Sequence, residues 1–226
     1  MIATPATFSI ASWNVHLGIH NDGGRNDVVG RCRELDADVL VLQEALWYDE
    51  PDSGLVNEVA SALNYDPHSY IAASTGSAHR FGVAVMTRFP ARRLPDHIVA
   101  LGGGLDERRM VRLELANPQI TVAGAHMSGI HLSRNPAAWI RERAGFADAA
   151  RSNDIVVGDM NMWGPVVERG AHELRRAVLG RTWPSNRPHS QIDHVLVSDR
   201  LEVLDSAVMD DMGSDHRAIR AVLRVR

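Results

Sequence analysis

Asp154-Ile155-Val156-Val157-Gly158-Asp159-Met160-Asn161 is the stretch on which the fold turns, because a short apolar run ends abruptly in a carboxylate and then a carboxamide. Open α/β sheets bind and transform ligands where their strands end. Gln191-Ile192-Asp193-His194 and Ser214-Asp215-His216 follow in hairpin-like settings. Three acidic tips and a histidine therefore stand where hydrophobic runs could gather them, as phosphoester chemistry on a divalent cation requires.

Working outward, strand-like runs fall at residues 8–13, 38–43, 81–86, 110–115, 120–125, 155–157, 192–197 and 218–225. Several are continuously apolar, which places them in sheets covered on both faces. Helical patterns lie at 26–35, 54–63 and 136–150, with a shorter one around 171–179. Asn135-Pro136 is a good helix start, with asparagine as cap and proline in the first turn. This order fits neither a doubly wound chain nor an all-β one; two packed sheets with helices outside satisfy it. The glycine-rich segments 21–24, 74–79 and 101–105 do not lead into helices as phosphate cradles do.

At 226 residues the chain is long enough to bury a sizeable core, and a single domain over 1–226 is expected. It has no bilayer-spanning apolar stretch, and its first residues lack the features of an export signal, so a cytoplasmic protein without stable membrane insertion is expected. Cys32, the one cysteine, excludes an internal disulfide and a cysteine-built zinc site. Every basic side chain among the Lys+Arg total is arginine; the missing lysine removes Walker A and Schiff-base chemistry. A net charge of -4 gives no general polyanion signature.

Asn14 and Glu44 end the first two strand-like runs. A lone strand-end glutamate is usually just solvated. Magnesium, however, takes oxygen ligands and needs only one or two carboxylates besides the substrate phosphate. Glu44 suits that role, with Asn14 supplying an amide oxygen to the metal or an amide donor to phosphate. His126 closes the 120–125 run in the same way; beside the other polar strand ends it reads as catalytic rather than as a packed core histidine. Asp193 and His216 form a candidate carboxylate–imidazole pair, leaving Asp215 to ligate a cation, although Gly213-Ser214-Asp215-His216 taken alone is an ordinary turn.

Trp13-Asn14-Val15-His16, Leu42-Gln43-Glu44, Ala125-His126-Met127, Gly158-Asp159-Met160-Asn161, Gln191-Ile192-Asp193-His194 and Ser214-Asp215-His216 together resemble the endonuclease/exonuclease/phosphatase superfamily, in the family's order and over nearly the whole chain. The resemblance implies an α/β (α+β) fold, a four-layer α/β/β/α sandwich of two mixed β-sheets of the deoxyribonuclease I-like type. It also implies Mg2+- or Mn2+-dependent hydrolysis of a phosphodiester or phosphomonoester by an activated water. Carried onto this sequence, Glu44 holds the metal with Asn14 and Asp215. Asp159 orients or deprotonates the water while Asn161 positions it, and His126 and His216 donate to phosphoryl oxygens with Asp193 behind His216. Where abasic-site endonucleases of the superfamily place an acid two residues after the first asparagine, this chain has His16, and its mid-chain tyrosines Tyr65 and Tyr70 lie in a different context; a broad bacterial branch of metal-dependent hydrolases is the better match.

Trp47, Tyr48, Trp163 and Trp183 follow or precede the motif residues and either stack on a substrate or anchor loops. Arg109 and Arg187 are the arginines best suited to phosphate, ahead of Arg25, Arg80 and Arg134. A phosphate-ester substrate is expected. A DNA or RNA nuclease of the same fold is the nearest alternative, and a non-catalytic phosphate-binding module is the alternative of another class.

Overall fold

The computed structural model describes residues 6–47, 54–72, 80–100, 108–129 and 136–226. Tyr48, Arg134, Asn135 and the glycine-rich segments 74–79 and 101–105 lie outside the described residues. Along the described chain come β1 (Thr7–Asn14), α1 (Val28–Leu35), β2 (Val39–Trp47), α2 (Leu55–Leu63), β3 (Asp66–Ala72), β4 (Arg80–Thr87), β5 (Ala91–Ala100), β6 (Arg108–Ala116), β7 (Gln119–His126), α3 (Pro136–Ala150), β8 (Ile155–Asp159), α4 (Gly164–Gly170), β9 (Arg175–Arg176), β10 (Asp193–Val197), β11 (Leu201–Val208) and β12 (Ile219–Val225). The helix expected around 171–179 is not formed. Pro165 instead starts α4 seven residues earlier, and the later stretch carries the short strand β9.

One sheet has the order β11-β12-β1-β2-β4-β3 and the other β5-β6-β7-β8-β10-β9. Both are mixed: β1 runs parallel to β2 and β7 parallel to β8, while the remaining pairings are antiparallel. Ile10, Val41, Val85, Leu113, Val122, Val157 and Val195 meet between the sheets in one dry cluster. At Gly124 the approach is so close that a Cβ would run into Val85 and Val41.

Each outer face carries its own apolar layer. Val28, Cys32 and Leu35 of α1 and Val56 and Val59 of α2 pack on the first sheet with Trp13, Leu40 and Leu42. Phe146 and Ala150 of α3 and Val167 of α4 pack on the second sheet with Met110, Ala123 and Val156. The result is the four-layer α/β/β/α sandwich. Asp27 caps α1 by accepting from the Gly30 N–H at 2.9 Å, and Asn64 closes α2 in a left-handed conformation, the two devices that usually fix helix ends. No helix among the described residues is long and apolar enough to cross a membrane.

Candidate active site

Chain direction brings the polar strand ends together. Because β1 and β2 are parallel, Asn14 at the end of β1 and Glu44 reach the same side of the first sheet, although β2 runs on past Glu44 to Trp47 rather than ending there as expected. Because β7 and β8 are parallel and in register, His126 lies opposite Asp159 in the second. β10 runs the other way and begins at Asp193, paired with Asp159. β12 is likewise antiparallel to β1, so the turn before it delivers Asp215 and His216 to the same edge.

Local backbone then aims the side chains. The pairing of β2 with β4 shifts between Leu42 and Ala45, and Glu44 sits at φ 49°, as in a β-bulge that turns a side chain out of the pleat. Asn161 also takes a left-handed conformation, φ 47°, just past β8. Its amide nitrogen donates to the Met127 carbonyl at 2.9 Å and to Asp159 Oδ2 at 3.3 Å, while its backbone N–H donates to Asp159 Oδ1 at 2.9 Å.

Asn14 is the bridge between the sheets. Its Nδ2 donates to Glu44 Oε1 and to Asp159 Oδ2, both at 3.2 Å, and its Oδ1 accepts from the His16 N–H at 3.1 Å. The Asn14 carbonyl accepts from the Ser214 hydroxyl at 2.7 Å, which ties the β12 turn to β1. His126 Nε2 stands 3.6 Å from Asp159 Oδ2 and 3.8 Å from Glu44 Oε1. His216 Nε2 stands 3.8 Å from the same Asp159 oxygen, while its Nδ1 lies 3.0 Å from Asp193 Oδ2.

Asp159, Asp193, His126 and His216 are all buried, so their charges are set by one another. Burial pushes Asp159 up to about 7 against the pull of the His216 cation. Burial alone would lower His216, but the Asp193 and Asp159 carboxylates outweigh it and raise the ring to about 10. Burial, reinforced by the nearby cations Arg108 and His216, holds His126 well below the ordinary histidine range. One histidine is thus a held cation and the other a neutral ring.

Two donor sets are relevant to a metal. Asp159, Asp193 and His216 offer ligand atoms within 4.8 Å of one another, but the His216 Nδ1 is already bonded to Asp193, which suits a hydrogen-bonded chain better than a coordination shell. Glu44 and Asp215 line the cleft with side chains 28% and 38% exposed, and hard oxygen donors of that kind fit a hydrated divalent cation. Asn14 now turns its nitrogen, not its oxygen, toward both carboxylates.

These groups open into a cleft of about 570 Å³ lined among others by Glu44, Arg108, His126, Asp159, Asn161, Asp215 and His216. Trp163 lines it as expected; Arg109 and Arg187 do not. Arg108, one residue earlier, lines the cleft instead; neighbours in a strand face opposite ways, and β6 presents Arg108 rather than Arg109 to this cavity. Trp47 is buried in the layer beneath α1 and α2, and Tyr65 donates its hydroxyl to the Ala37 carbonyl far from the cleft. His16 lies beside Asp215 at 4.0 Å. Sequence reading missed Glu142 and Arg143: fully buried Glu142 accepts from the Ser128 N–H at 2.6 Å, and Arg143 donates to the Ser128 and Asn161 carbonyls, so α3 ties together the exits of β7 and β8. Charges in an amphipathic helix ordinarily read as solvated, and no motif marks these two.

Residues 11–216 match the profile of the Endonuclease/Exonuclease/phosphatase family. The chain belongs to that family, whose members hydrolyse phosphate esters. Among solved structures it is similar to an endonuclease/exonuclease/phosphatase from Beutenbergia cavernae DSM 12333, with 20% identity over 97% of this chain and 72% of that one and a TM-score of 0.72. It is similar also to a family protein from Bacteroides thetaiotaomicron, with 14% identity over 99% and 100% of the two chains and a TM-score of 0.73. A third is ANGEL2, a 2',3'-cyclic phosphatase in complex with adenosine-2',3'-vanadate, with 13% identity over 98% and 96% and a TM-score of 0.70. A comparison with curated proteins finds no match.

Proposed function

We propose that this protein is a divalent-metal-dependent phosphoesterase that hydrolyses a phosphodiester or phosphomonoester through an activated water. The observation that carries the reading is the convergence of Asn14, Glu44, His126, Asp159, Asp193 and His216, from both sheets, on one cleft edge with successive polar atoms 3.0 to 3.8 Å apart. Glu44 and Asp215 would hold Mg2+ or Mn2+, with Asn14 supporting Glu44 through its amide nitrogen or turning its oxygen inward. When bound, the cation supplies polarisation of a phosphoryl oxygen and neutralisation of developing charge.

The rest is the work of the chain itself. Asp159, lifted to about 7, is matched to accept a proton from water near neutral pH, and Asn161 fixes the rotamer of that carboxylate. His216, kept cationic by Asp193, faces the phosphate as a fixed positive donor, while neutral His126 donates a single N–H. Arg108 adds the guanidinium of the cleft.

Asp159→Asn should lower turnover of bis-p-nitrophenyl phosphate and p-nitrophenyl phosphate by orders of magnitude while Tm moves only a few degrees. Excess chelator should abolish wild-type turnover, and magnesium or manganese should restore it. Full activity in chelator removes the metal from the reading, and an active Asp159→Asn variant removes the base.

A further inference from the structure

The cleft has a second half with different chemistry. Leu17, Met162, Trp163, Val166, Trp183 and Ile192 line it beside the acidic and histidine edge. Trp163 is 66% exposed and Val166 37%, unusual for large apolar side chains at the mouth of a cavity. Neither is placed there by the core. Trp163 comes two residues after Asn161 and caps α4, and Val166 follows one turn later with its N–H bonded to the Trp163 carbonyl at 2.9 Å. The apolar wall is therefore tethered directly to the strand end that carries Asp159 and Asn161. Trp183 is held in turn, edge-on to His189 at 5.4 Å between ring centroids.

Apolar surface left in water next to a polar reaction centre is a signature of ligand contact. Its charge narrows the ligand class. A nucleic-acid backbone is gripped by a series of cations, each neutralising a phosphate, yet Arg108 is the sole arginine among the described residues lining this cleft.

We propose that the phosphate ester carries a compact apolar organic group, aryl or alkyl, seated on the Trp163–Val166 wall, so that the substrate class is a small phosphate ester of an apolar alcohol. This rests on the phosphoesterase reading and specifies which ester it takes. Phosphonates test it without a leaving group. In buffer with magnesium, calorimetric titration should give phenylphosphonate an affinity at least about tenfold tighter than methylphosphonate, as expected for burying one ring face. Trp163→Ala should bring phenylphosphonate back to the affinity of methylphosphonate, and Val166→Ser should move it the same way by a smaller factor. Equal wild-type affinity for the two phosphonates, with p-nitrophenyl esters still hydrolysed, overturns the apolar site and leaves the phosphoesterase standing. Failure to bind either phosphonate together with failure to hydrolyse any ester overturns the phosphoesterase itself. A short oligothymidylate that binds more tightly than phenylphosphonate, and weakens steeply with salt, overturns the small-ester class in favour of nucleic acid.

Discussion

His194 is a buried titratable group that the proposed chemistry leaves unused. Its Nε2–H donates to the Met162 carbonyl at 2.8 Å and its Nδ1 has no partner, so protonation would place an unmatched charge behind the site. Burial pushes the ring down to about 4, against the opposite pull of the Met162 bond. The unfolded chain takes up this proton below about 6.5 and the folded chain only near 4, so stability is complete above pH 6.5 and lost as pH falls through that window. The loss is on the order of 3 kcal/mol. His194→Gln, which keeps a donor without a titration, should show a flatter fall in urea midpoint between pH 7 and 4; parallel profiles would remove His194 from the acid response. At this scale the sequence named most of the side chains but not their faces. Asn14 was legible as a site residue, whereas the end of its amide that points inward is settled by two carboxylates from strands far apart in the chain. Arg108 and Arg109 are adjacent and face opposite ways along β6, and which of the two faces turns to the cleft is set by the placement of the strand in the fold, which no local pattern encodes.

Among the elements, β8 is the most constrained. Gly158 lies at φ +143°, and a Cβ there would fall on the Ala125 carbonyl oxygen of β7. Gly158 pairs with Ala125 and the next pair in register is His126 with Asp159, so the close approach sets the spacing of the site. Gly158→Ala should therefore cost about 3 kcal/mol or more, through both conformation and overlap, and should depress turnover in the fraction that stays folded. A variant with wild-type Tm and turnover would show that the two strands separate without consequence. The strands legible from sequence are the covered ones, continuous in apolar residues. Those that escaped, β3, β5, β9 and β11, are the four edges of the two sheets. Edge strands are half solvated and tolerate proline and charge, and here they contain Pro67, Pro95, Arg175 and Glu202. The hydrophobic run that reveals a strand is absent where water covers one side of it.

For the whole molecule, two parallel strand pairs and two antiparallel returns deliver six polar groups to one edge; five of them directly abut a buried run and His216 stands two residues before one, which is why they could be read as a set although their distances could not. Electrostatics at the same scale separates the remaining readings. The protein carries a net charge of -4, and the cleft presents one arginine among its described residues, so the described lining offers a polyanion no row of cations. A ligand that contacts few charges releases few counterions, whereas one neutralised at six phosphates loses about 10³-fold in affinity between 50 and 200 mM salt. At fixed magnesium, kcat/KM for p-nitrophenyl esters should change by less than about threefold over that salt range, because a small ester carries no condensed counterion atmosphere to release. The same measurement on single-stranded DNA should give either no turnover or turnover far below that of the small esters. A nucleic acid cleaved faster than any small ester, with kcat/KM falling steeply in salt, would mean that cations outside the cleft hold the substrate, and the nuclease reading would replace the small-ester one.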